Sequence, residues 1–126
     1  MYKKLLIGIV FLALLSTVLA ACSIHDTTGP SGPTVNMGNA NFDQPSIAIS
    51  KGASINMIDT VAVEHIITNG SWKNGLPVSS KESGAPVYNQ TFNGNDTNVL
   101  GPFTTSGTYH YYCTLHPGMD LTVVVS

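Results

Sequence analysis

The chain has 126 residues, with 5 lysines, no arginine, 7 carboxylates and a formal net charge of −2. That length holds one small domain and not two. So sparse a basic complement excludes a nucleic-acid binder, which needs a cationic footprint, and 4 histidines are too few for an enzyme built on several metal centres.

The chain opens with Met1-Tyr2-Lys3-Lys4, then an apolar run from Leu5 to Ala21. Two lysines before a short apolar stretch make a secretory signal, too short and poorly flanked for a stable membrane span. The stretch ends Leu19-Ala20-Ala21-Cys22, which resembles the bacterial lipoprotein box. The resemblance implies that residues 1–21 are a lipoprotein signal peptide, and that Cys22 is lipidated as the first mature residue. An ordinary cleaved signal and an uncleaved anchor helix are the alternatives. The mature chain then keeps three lysines against seven carboxylates, a net charge near −4. With Cys22 acylated, Cys113 is an unpaired thiol in an exported protein, which asks for a function. A Cys22–Cys113 disulfide is the competing possibility.

Residues 22–44 are rich in Gly, Pro, Ser, Thr and Asn and read as a flexible linker. As a coil of roughly 22 residues it spans on the order of 25 Å. His25 and Met37 are expected to be solvated within it. A domain is expected over residues 45–126. Ser46–Ser50 alternates Ile47 and Ile49 with small residues, and Lys51-Gly52 reads as a turn. Ala53–Ile58 and Val61–Ile67 follow as β-branched runs, the second placing His65 on the side of Val61, Val63 and Ile67. Residues 68–98 carry Gly70, Gly75, Pro77, Gly84, Pro86 and Gly94 and read as loop, with one or two edge strands near Val87–Phe92. Asn69, Asn89 and Asn95 begin tripeptides of glycosylation type, read here as polar turns. Trp72 is open to three readings: near a metal, on a partner surface, or as a packing plug.

The most definite strands come last. In Thr108–Cys113, Tyr109, Tyr111 and Cys113 share one face and His110 and Tyr112 the other. Leu121, Val123 and Val125 continue the side of Met119. No segment has a helical period, so short strands with Gly and Pro punctuation predict an all-β antiparallel sandwich.

Between the last two strands lies Cys113-Thr114-Leu115-His116-Pro117-Gly118-Met119. One strand cannot offer three ligands to one ion, but a tight loop can, and Pro117-Gly118 supplies the backbone for one. His65 is the candidate fourth ligand from another strand. Two imidazoles, a thiolate and a thioether select copper, as a trigonal His₂Cys site with a weak axial Met. Zinc gains little from a thioether.

Gly107–Val125, with the spacing Cys-x-x-His-x-x-Met, resembles the C-terminal end of a cupredoxin, the type 1 or blue copper proteins, and most closely the short-loop amicyanin-like members. Phe103 matches a core aromatic of that family and His65 its first ligand. The resemblance implies a Greek-key β-sandwich of about seven to eight short strands. It also implies one type 1 copper held by His65, Cys113, His116 and Met119, with His116 at the solvent edge. Leu115, Pro117 and Gly118 would surround that edge and dock partners. One departure stands out: relatives often carry Asn after the first ligand, and here it is Ile66.

The function implied is one-electron transfer between redox partners, such as a c-type cytochrome or oxidase, with no enzymatic activity. The protein would be an extracytoplasmic monomer, lipid-anchored to a bacterial membrane. Copper storage or delivery is the alternative, for which His25 and Met37 would be accessory ligands.

Overall fold

The computed structural model describes residues 32–126. The expected signal peptide, lipidated Cys22 and His25 lie outside the described residues. Nine strands follow in order: β1 Thr34–Met37, β2 Ser46–Ile49, β3 Ile55–Asp59, β4 His65–Lys73, β5 Leu76–Ser79, β6 Asn89–Phe92, β7 Thr97–Leu100, β8 Gly107–Cys113 and β9 Asp120–Val125. One sheet has the order β1-β3-β7; the other runs β2-β9-β8-β4-β5, with β6 also on β4. The core between them is built mainly from alternate strand residues, notably Val35, Met57, Ile67, Phe92, Tyr109, Tyr111, Leu121 and Val123, with Phe103 added from the segment between β7 and β8. This is the expected all-β sandwich.

Three local expectations are corrected. Residues 34–44 are not linker. β1 pairs parallel with β3, Thr34 opposite Asn56 through Met37 opposite Asp59, and Phe42 bridges back to Met37. Val35 and Met37 are fully buried, each such side chain contributing about 1.5–3 kcal/mol. Two apolar side chains among polar ones give too little period to read, yet they suffice once β3 offers an edge. Met37 is therefore a core residue rather than a solvated one. The sandwich is also not wholly antiparallel, because β2 runs parallel to β9 as β1 does to β3.

The third correction concerns residues 61–73. β4 starts only at His65, and Val61–Glu64 form a turn whose first amide, Val61 N–H, donates to Asp59 Oδ1 at 3.1 Å. β4 then continues to Lys73, through residues expected to be loop. It turns back at Asn74-Gly75, both at positive φ (52° and 76°), into β5. That is the two-residue hairpin for which Asn-Gly is suited. Asn69 is no surface turn either: it is buried in β4, its Nδ2 donating to Pro86 O (2.9 Å) and its Oδ1 accepting from Tyr88 N–H (2.8 Å).

Candidate metal centre

The end of β8 and the start of β4 lie side by side, Ile67 opposite Cys113. This register sets the site, because it brings His65, at the first position of β4, level with the end of the cysteine strand. Cys113 Sγ is 3.8 Å from His65 Nδ1 and 3.3 Å from His116 Nδ1. The three donor atoms all lie within 4.8 Å of one another. The two imidazole rings are tilted at 55° with centroids 4.8 Å apart. Cys113 and His65 are fully buried and His116 is partly exposed.

The loop is closed by its own backbone. Met119 N–H donates to His116 O (3.1 Å) and Cys113 N–H to Met119 O (3.0 Å), so the chain leaves β8 and re-enters β9 within six residues. Gly118 takes φ of 80°, as the predicted turn requires. Met119 is buried in the same cluster as Cys113, whereas Leu115, Pro117 and Gly118 are exposed. Ile66, the residue after His65, braces this loop through its backbone: Thr114 N–H donates to Ile66 O at 2.9 Å.

Burial holds the His65 ring below its ordinary pKa of 6.5, opposed by the neighbouring Asp59 carboxylate and reinforced by His116. His65 is thereby kept neutral, as a metal ligand must be. Two residues near the site carry contacts that the sequence alone did not reveal. Trp72 packs edge-on against Tyr112, its Nε1–H donates to Cys113 O (2.9 Å), and its own N–H donates to Asp120 Oδ1 (2.7 Å). Of its three readings, two are observed together: the ring packs against Tyr112 and lies near the site, latched to the cysteine backbone. Asp59 is buried beside His65, with Oδ1 3.9 Å from Nε2. Its only sequence signal is an acidic residue closing an apolar strand six positions before His65.

The site is a buried thiol faced by two imidazole Nδ1 atoms at one end of a β-sandwich, with a thioether in the adjoining core. Such a donor set fits a soft transition metal, copper before zinc. Fold and site together define a small β-sandwich copper protein. The chain belongs to the plastocyanin/azurin family of copper binding proteins, whose family model matches residues 32–126. It is a cupredoxin, and copper is its cofactor. Amicyanin-alpha of Methylorubrum extorquens is 33% identical over 98 residues, covering 76% of this chain and 74% of that protein. Among solved structures, amicyanin from Paracoccus versutus superposes with a TM-score of 0.59 at 17% identity, covering 78% of this chain and 84% of that one. A reduced Cu(I) amicyanin variant at pH 4 gives 0.59 at 22% identity, covering 78% and 85%. At these identities the structural likeness speaks for the fold.

Proposed function

We propose that this protein is a one-electron carrier with a type 1 copper site, His65, Cys113 and His116 being the equatorial ligands and Met119 a weak axial one. The observation that carries the reading is the meeting of Cys113 Sγ with both Nδ1 atoms, 3.8 and 3.3 Å away. Copper bound there supplies a reversible Cu(I)/Cu(II) couple. The chain's contribution is rigidity: the Met119, His116 and Ile66 backbone bonds hold the loop in one geometry, which keeps reorganisation small. Buried Cys113 and His65 exclude water, and partly exposed His116 offers the short path to solvent. With four protein donors, no position is left open for a substrate, and the protein is not an enzyme.

Partners, a c-type cytochrome or an oxidase, would dock on Leu115, Pro117 and Gly118 around the His116 edge. Leu115 is 45% exposed there, and an apolar rim lets a partner exclude water. The acidic balance elsewhere would steer basic partners and make association salt-sensitive. Leu115→Lys should slow electron exchange with such a cytochrome in stopped-flow mixing while leaving the visible spectrum unchanged; an unaltered rate would remove this rim from the interface. Copper delivery is not favoured, because Met37, which would have served as an accessory ligand, is fully buried.

Anchoring through Cys22 rests on the lipoprotein-like Leu19–Cys22 alone. Intact-mass measurement of membrane-extracted protein should show a diacylated or triacylated chain starting at Cys22; a mass starting elsewhere would exclude it. The copper reading is tested by adding Cu(II) to the purified protein. An intense thiolate-to-copper band should appear, bleach with ascorbate, and be absent from Cys113→Ala. A band that survives that substitution would refute the ligand set.

A further inference from the structure

Asp59 is the only carboxylate buried among the described residues, 2% exposed at the end of β3. One of its oxygens has a structural task, since Oδ1 accepts the Val61 N–H that starts the turn into β4. Its other oxygen, Oδ2, has no partner, and neither has the buried Nε2 of His65. The nearest approach between the two side chains is 3.9 Å, from Oδ1 to Nε2. Two unpartnered polar atoms in one dry site, on adjacent side chains of complementary chemistry, are costly unless they serve each other. Turn capping does not need a carboxylate, because an asparagine oxygen would accept the same amide. The negative charge is thus left without a structural reason.

We propose that Asp59 is a positioning residue for the copper centre, its carboxylate taking the Nε2–H of His65 by closing the 3.9 Å separation. The inference rests on the copper reading above. The contact has two consequences. It holds His65 as the Nε2–H tautomer, so the Nδ1 lone pair is the one presented beside Cys113 Sγ, and it makes that nitrogen a stronger donor. It also sets a fixed negative charge close to the site in a poorly screened interior, which favours the more highly charged cupric state. The protein would then hold its copper at a lower reduction potential than the same ligands would without Asp59. The backbone of Gly38, which also bears on the His65 ring, is the competing acceptor.

The discriminating variant is Asp59→Asn, which keeps an oxygen for the Val61 amide while removing the charge. In copper-loaded protein, its preference for Cu(II) over Cu(I) should fall at least tenfold, a rise of about 59 mV for a one-electron couple. A second readout needs no redox step. In ¹⁵N-labelled copper-free parent protein, where no metal fixes the tautomer, His65 should carry its proton on Nε2 and exchange it slowly with water, and Asp59→Asn should accelerate that exchange. A parent ring protonated on Nδ1, or a variant with unchanged potential and exchange, overturns the proposal and leaves Asp59 as a turn cap. The parent measurement stands even if the variant does not fold. Failure of the underlying reading looks different: the parent itself would then show no thiolate-to-copper band.

Discussion

Cys113, His116 and Met119 could be read from the chain because their grouping is local, three donors within seven positions around a Pro-Gly turn. His65 needed only its place in an apolar strand. Trp72 and Asp59 could not be read in the same way. The indole reaches the Cys113 carbonyl across 41 positions of sequence, and such a contact exists only after β4 and β8 have paired. Removing it should cost stability without touching the donors. Trp72→Phe keeps an aromatic ring against Tyr112 but leaves the Cys113 carbonyl without its indole donor. We expect a loss of about 1–3 kcal/mol, measured by denaturant unfolding of the copper-free protein, with the copper band kept in place. A shifted or absent band would mean that the indole does more than latch the backbone.

At the level of strands, the edges were hardest to foresee. β1, β5 and β7 are each four residues long with at most two buried side chains, and they exist because a longer neighbour supplies hydrogen-bonding partners. Asn74-Gly75 was the available signal for the β4–β5 hairpin, but it was hidden among other glycines and prolines. Gly70 is a different matter. It has φ of 130°, and a Cβ added there would stand 2.2 Å from Val78 O and 2.8 Å from Tyr112 Cε1. At this point β4 leaves β8 and takes up β5, so the close approach of the two backbones is what permits the exchange. Gly70→Ala should destabilise the protein by about 1–3 kcal/mol from backbone strain alone, and the steric overlap adds to it. Thermal unfolding that left the midpoint unchanged would show that the hairpin shifts freely.

Over the whole molecule, charge is sparse, and its placement decides how acid acts. Glu82 lies in the segment between β5 and β6 and meets β8 through His110, whose Nδ1–H donates to Oε1 at 2.6 Å and whose N–H donates to Oε2 at 3.4 Å. Burial alone would push the Glu82 carboxyl up. The hydrogen bonds from His110, with that of its own backbone, outweigh this and hold it below its ordinary value of 4.5. A carboxyl depressed on folding stabilises the protein above its unfolded pKa, and that contribution is lost as pH falls through the folded value. The copper-free parent should therefore melt above Glu82→Gln at neutral pH, the two converging as pH drops below about 4.5. Parallel melting curves down to pH 3 would show the pair to be inert.

The all-β class and the copper ligand loop were legible in the linear chain, since each rests on neighbours: period-two alternation, and donors spaced around one turn. The pairing of β1 with β3, the exchange of partners along β4 and the buried Asp59 beside His65 were not. Each depends on which distant segments meet, and a polar residue or a short edge strand carries no mark of its partner until the sheets have formed.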